Sequence, residues 1–244
     1  MLKWQGEAEV VGQVRCRRFV PRSQADGAAT GAVYEPVGDA RPARLALIQH
    51  GGSSHKAGTD VWDVAHALTG QAGVRLVALD GPVHGARLGR DEVLEPLAVR
   101  ARFFEKWEHE PAHVAQHVGA WRDLIDELVG AWRPEHLAWV GVSMGTAYGL
   151  PLLAQEDRIH AAVIGMWGTS FVNSERLRTD AMAVRARVLF QQKWHDELFS
   201  RDGQLELFDA LGTDDRRLHV YPGGHTRLGE EQMADLVRFV VNGP

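Results

Sequence analysis

Two kinds of hydrophobic pattern divide this chain. From about Glu7 to Val20, apolar Val10, Val14 and Cys16 alternate with polar Glu9, Gln13, Arg15 and Arg17, the two-residue period of an antiparallel strand with one buried face. Ala29 to Pro36 is its expected partner, with Asp26 and Gly27 in the connection. Further on the pattern changes. Leu45 to Ile48, Val74 to Leu79, Leu137 to Val142, Ala161 to Met166 and Val188 to Phe190 are short, near-continuous apolar runs, as strands buried on both faces require. Helical segments fall between and after them, at Asp60 to Gln71, His113 to Trp132, Met144 to Gln155, Leu205 to Leu211 and Glu230 to Val241. This alternation predicts an α/β fold: a mostly parallel central sheet with right-handed crossovers and helices on both faces, preceded by an N-terminal antiparallel hairpin.

The spacing of these runs adds one feature. Between Asp80 and Leu137 the chain is longer than one crossover helix needs, and the surplus, about Arg87 to Glu110, holds Leu94, Leu97, Phe103, Phe104 and Trp107. A small lid at about 87–110 is expected there, whereas the stretch from Gly168 to Val188 has room only for a short helix. At 244 residues with 45% hydrophobic content, the chain can bury one substantial core, and a single domain over 1–244 is expected. A net charge of −5 provides no basic stripe, so a nucleic-acid partner is not expected. The lone Cys16 excludes an internal disulfide framework and reads as a small buried hydrophobe. The start at Met1 has no apolar signal core and nowhere do eighteen apolar residues follow one another, so a soluble, cytoplasmic protein without a membrane partner is expected.

The candidate chemistry begins where an apolar run breaks into a small-residue helical start, at Gly141-Val142-Ser143-Met144-Gly145. A strand that feeds a helix through so tight a turn crowds the positions two residues either side of the serine, and both are glycine. The serine is thereby lifted from the sheet, at a helix N-terminus whose first N–H, that of Met144, points toward a developing oxyanion. Gly-x-Ser-x-Gly alone is a weak signal, so the partners decide. A serine hydroxyl needs a base, and the base needs an acid to fix its tautomer. Val188 to Trp194 is followed by His195-Asp196-Glu197, and Leu218 to Tyr221 by Pro222-Gly223-Gly224-His225. Asp196 and His225 fit these roles in the order Ser, Asp, His, each just past a strand. A second oxyanion donor is expected on the loop after Ile48, where Gly52 is the first choice and Gly51 or Ser53 the alternatives.

With these residues assembled, the chain resembles the α/β-hydrolases, and among them the dienelactone-hydrolase-like carboxylesterases. The stretches that carry the resemblance are His50-Gly51-Gly52, the loop Asp80 to Arg87, the serine turn, Asp196 to Phe199, and Gly224-His225. The resemblance implies that the Asp-x-Pro-x-His-Gly loop is mainly structural, which leaves His84 without a catalytic part. The chain departs from the family at the acid, which usually follows a small residue; here His195 and Glu197 flank Asp196, and Glu197 stands as the reserve acid.

Taken singly, each feature has an ordinary explanation: a turn serine, a helix-capping aspartate, a solvated loop histidine. Their joint order favours hydrolysis of a small to medium carboxylic ester through an acyl-enzyme, with no metal and no organic cofactor. Gly51, Phe103, Phe104, Trp107 and Trp167 are the expected substrate contacts. Two other readings stay open: a thioesterase, lactone or C–C bond hydrolase with the same machinery, and a hydrolase-like binding protein. His109, His113 and His117 recur every four residues, but no carboxylate or cysteine set with ligand spacing accompanies them and Pro111 breaks the helix between the first two, so they read as a solvated or lid-facing row rather than a metal site. Arg15 to Arg18 reads as the solvent side of an edge strand.

Overall fold

The computed structural model describes residues 2–22, 29–38, 42–89 and 94–242, in two compact units, 1–137 and 138–244. Asp26 and Gly27, and residues 90–93 of the expected lid, lie outside the described residues.

The first unit opens with three antiparallel strands, Lys3–Val11 (β1), Val14–Val20 (β2) and Gly31–Pro36 (β3). The segment expected as one strand from Glu7 to Val20 is therefore divided. Gly12, at φ +60°, and Gln13 reverse the chain between Val11 and Val14, and a glycine opening a two-residue loop is the feature that permits it. β1 is exposed along its whole length, so Val10 is not part of a buried face. β2 has strands on both sides and buries Val14, Cys16 and Phe19. Arg15 to Arg18 consequently lie on an interior strand, the edge being β1, and Arg17 stacks over the Trp4 ring at 4.1 Å. Burial pushes the Cys16 thiol up to about 11, as befits a packed side chain rather than a reactive one.

Arg75–Leu79 (β5) runs antiparallel to β3 and parallel to Arg44–Ile48 (β4), giving the order β1-β2-β3-β5-β4. β5 is buried throughout and β4 from its second residue on, as their unbroken apolar runs predict. Thr59–Ala65 (α1), which widens into a π-helical stretch at His66–Gln71, connects them. After β5 come Pro96–His109 (α2) and Ala112–Trp132 (α3), separated at Pro111, which cannot continue the first helix. α3 turns Val118, Trp121, Leu124, Ile125 and Leu128 into the core.

The second unit is a repeated strand–helix pattern. His136–Val140 (β6) enters it, and Ala161–Gly165 (β7), Arg187–Lys193 (β8) and Arg216–Tyr221 (β9) follow in parallel, each hydrogen-bonded to the next. Met144–Leu153 (α4), Leu177–Ala183 (α5), Arg201–Asp209 (α6) and Glu230–Val241 (α7) follow the strands in turn. The segment expected to hold only a short helix holds α5, of seven residues. No helix among the described residues is long and apolar enough to cross a membrane.

Candidate active site

The second unit brings the three distant residues together. Gly141 follows the last residue of β6, and Ser143 takes φ 57° and ψ −122° before α4 begins at Met144. Such a backbone costs a non-glycine residue about 1–3 kcal/mol and persists only when its surroundings enforce it. Here Gly141 and Ser143 donate their N–H groups to the carbonyls of Val163 and Gly165, at 2.9 and 2.8 Å. A Cβ on Gly141 would lie 2.9 Å from the Gly145 Cα, which is why both positions are glycine. The Met144 N–H, first in the helix, donates to no protein acceptor among the described residues.

From that turn the Ser143 Oγ reaches His225 Nε2 at 2.9 Å, and His225 Nδ1 lies 3.0 Å from Asp196 Oδ2. Asp196 follows β8 and His225 follows β9, so the parallel pairing of these two strands delivers both residues to one end of the sheet. The carboxylate of Asp196 assigns the imidazole proton to Nδ1 and leaves the Nε2 lone pair facing the hydroxyl. Asp196 is itself held: its Oδ1 accepts the N–H groups of Leu198 and Phe199, each at 3.0 Å. Its side chain is 2% exposed and that of His225 11%, so water competes little for the charge that forms between them. Glu197 does not face the ring. Its Oε2 accepts the backbone N–H of His225 at 2.8 Å, and this bond holds its carboxyl below the usual range.

Beside the histidine stands an aromatic cluster. The Phe199 ring is 5.3 Å from that of His225, and Trp167 packs on Phe199 at 4.3 Å and Phe171 at 5.0 Å. Trp167 is completely buried, with its Nε1–H donated to Ser174. It therefore backs Phe199 rather than lining open space.

The remaining expected contacts lie in the first unit. The N–H of Gly51 is already donated to Asp60 Oδ2 at 3.1 Å, whereas those of Gly52 and Ser53 have no protein acceptor among the described residues. Phe103 of α2 lies against Gly52, where an added Cβ would come within 3.2 Å of its ring. Phe103 is fully buried, Phe104 stands 5.6 Å from it, and Trp107 is fully buried beneath both Phe103 and His113. His50 is locked: Gly81 N–H donates to its Nε2, and its Nδ1 lies 2.8 Å from the Gly51 carbonyl oxygen. The loop after β5 is structural in its contacts. Buried Asp80 binds Lys56 at 2.7 Å and accepts the Ala86 N–H, and His84 Nε2 meets the Gly52 carbonyl at 2.9 Å. Burial opposes ionisation of Asp80, yet Lys56 holds its carboxyl below the ordinary value. His113 and His117 are buried, not solvated. His117 donates from Nε2 to Gln49 and receives Arg87 at Nδ1, so core packing of α3 claims two members of the row. The described residues contain no cluster of three His, Cys, Asp or Glu able to hold a metal ion.

Comparison with solved structures then places the chain. A cold-adapted esterase from an Arctic intertidal metagenomic library, solved in a PEG-bound complex, shares 34% sequence identity over 98% of both chains with a TM-score of 0.83. The chain belongs to the α/β-hydrolase family. The native structure of a cold-adapted esterase from the same kind of library matches this α/β-hydrolase at 32% identity, again over 98% of each chain, with a TM-score of 0.78. An acetyl xylan esterase from Paenibacillus sp. R4, 15% identical over 98% of this chain and 87% of its own, shares the fold alone at a TM-score of 0.71. No protein-family model and no curated protein matches the sequence.

Two residues of this α/β-hydrolase escaped the reading of its sequence. Buried Thr146 accepts the Gly165 N–H at 2.7 Å and lies 2.6 Å from the Gly165 carbonyl oxygen, tying the first turn of α4 to the end of β7. Gln204 of α6 reaches Asp196 Oδ2 at 3.4 Å while donating to the Phe199 carbonyl. Neither sits in a motif. A polar residue on an apolar helix start, as in Met144-Gly145-Thr146-Ala147, was the available signal for the first, since a buried hydroxyl must find a partner.

Proposed function

We propose that this protein is a serine hydrolase that cleaves a small to medium carboxylic ester by acyl transfer. The observation that carries the reading is the continuous relay from Ser143 Oγ through His225 to Asp196, at 2.9 and 3.0 Å. His225 takes the hydroxyl proton as Ser143 attacks the ester carbonyl, and Asp196 steadies the imidazolium that forms. The oxyanion meets the Met144 N–H at the positive end of α4. Protonated His225 then gives its proton to the departing alcohol. In the second half water, deprotonated by His225, attacks the acyl-enzyme, and the acid leaves with Ser143 restored. Atoms and protons balance without a metal or an organic cofactor.

The cold-adapted esterases among the similar structures support an ester as the substrate, and the partly exposed ring of Phe171, backed by buried Phe199, suits an apolar acyl or alcohol group. The test is turnover of p-nitrophenyl acyl esters alongside acyl thioesters of matched chain length. The wild-type protein is expected to favour the esters, and Ser143→Ala to abolish turnover with its thermal midpoint preserved. Thioesters cleaved in preference would reassign the substrate class, and an active Ser143→Ala protein would remove the nucleophile from the scheme.

A further inference from the structure

The loops that follow β8 and β9 remain joined after the strand pairing ends. The N–H of Trp194 donates to the Tyr221 carbonyl at 2.8 Å, and that of His195 to the Gly223 carbonyl at 3.0 Å. At the next step the backbone ladder gives out. The N–H of His225 is received instead by a side chain, Oε2 of Glu197 at 2.8 Å, and a carboxylate is a stronger acceptor than the carbonyl it replaces. Gly224 makes room for it: a Cβ there would fall 2.6 Å from Oε2, while the next nearest atoms are 3.5 Å away.

We propose that Glu197 is a positioning residue, a latch on the loop that carries His225, which keeps the imidazole in line between Ser143 and Asp196. The inference rests on the triad reading above and adds to it a residue that touches neither substrate nor reacting atoms. Asp196 meets the ring of His225 and Glu197 meets its backbone, so the two adjacent carboxylates fix one residue at two points. A reserve acid would have to face Nδ1, and Glu197 does not. Releasing the N–H frees the Cα from which the ring hangs, and a displacement of about 1 Å at a reacting group can cost up to about a hundredfold in rate.

Four variants test the latch on one ester substrate, with kcat, KM and thermal midpoint read for each: Glu197→Ala, Glu197→Gln, Gly224→Ala and the double Glu197→Ala/Gly224→Ala. Glu197→Ala is expected to lower kcat about tenfold with KM within about threefold, and to leave the midpoint nearly unmoved because Glu197 is exposed. Glu197→Gln keeps an acceptor oxygen and should retain most of the activity. Gly224→Ala pushes the same carboxylate aside into solvent, so it should match Glu197→Ala, and the double variant should be no worse than either single. Wild-type kcat in Glu197→Ala and Gly224→Ala would overturn the latch, as would Glu197→Gln as impaired as Glu197→Ala, or losses that add in the double variant. Ser143→Ala is assayed in parallel: if it still turns over, the triad reading falls instead, whatever the latch variants do.

Discussion

Ser143 holds an unfavourable backbone conformation, and the residues that enforce it lie in the next strand and the following helix turn. Thr146 is the buried member of that set, with its hydroxyl on both polar groups of Gly165. Thr146→Val keeps the shape and removes the hydroxyl, leaving the Gly165 N–H without its partner; the expected loss is about 1–3 kcal/mol of stability, measured by denaturant unfolding, together with a fall in kcat as the turn relaxes. A variant with unchanged unfolding midpoint and kcat would show that the hydroxyl has no such part. At this scale the approach of Ser143, His225 and Asp196 to one another was legible in the sequence because each follows an apolar run and the turn chemistry demands Gly141 and Gly145. Thr146, Gln204 and the backbone contact of Glu197 were not legible. Apart from the reach of Gln204 to Asp196, their partners are backbone groups, and the course of the loops, not residue type, decides which backbone group lies within reach.

The elements divide in the same way. Buried parallel strands announce themselves as apolar runs, and β4 to β8 fall close to where those runs predict. The first strands were harder to place, because a period of two continues on either side of a two-residue reversal and only Gly12 marks the break. The consequence is physical: β1 becomes a fully exposed edge and the Arg15 to Arg18 run moves to an interior strand, where Arg17 stacks on Trp4. α3 gives the converse case. His113 and His117 are polar by type, but the face they share with Trp121 is the buried one, and a hydrogen bond to Gln49 lets His117 stay there uncharged. The expected lid segment contains α2, whose Phe103 lies on Gly52; its apolar residues were readable, its packing partner was not.

Across the molecule, buried histidines tie folding to acidity. Burial lowers the pKa of His50 to about 3, and it depresses those of His84 and His117 in the same direction. Above pH 6.5 these rings are neutral folded and unfolded, and their contribution is fully present. As pH falls below 6.5 the unfolded chain binds protons that the native rings refuse, so stability is lost, by roughly 1 kcal/mol for each pH step below 6.5 for His50 alone, and the loss continues toward pH 3. The thermal midpoint should therefore drop between pH 7.5 and 5, and drop less in His117→Gln; a midpoint that is flat or rises on acidification would refute this linkage. The central claim, an activated serine at the end of the second unit's sheet, is tested most directly by intact-mass and peptide mapping after exposure to a fluorophosphonate probe. One covalent adduct on Ser143, absent from Ser143→Ala and strongly slowed in His225→Ala, is the expected result; a folded wild-type protein that stays unlabelled, or is labelled elsewhere, would contradict it.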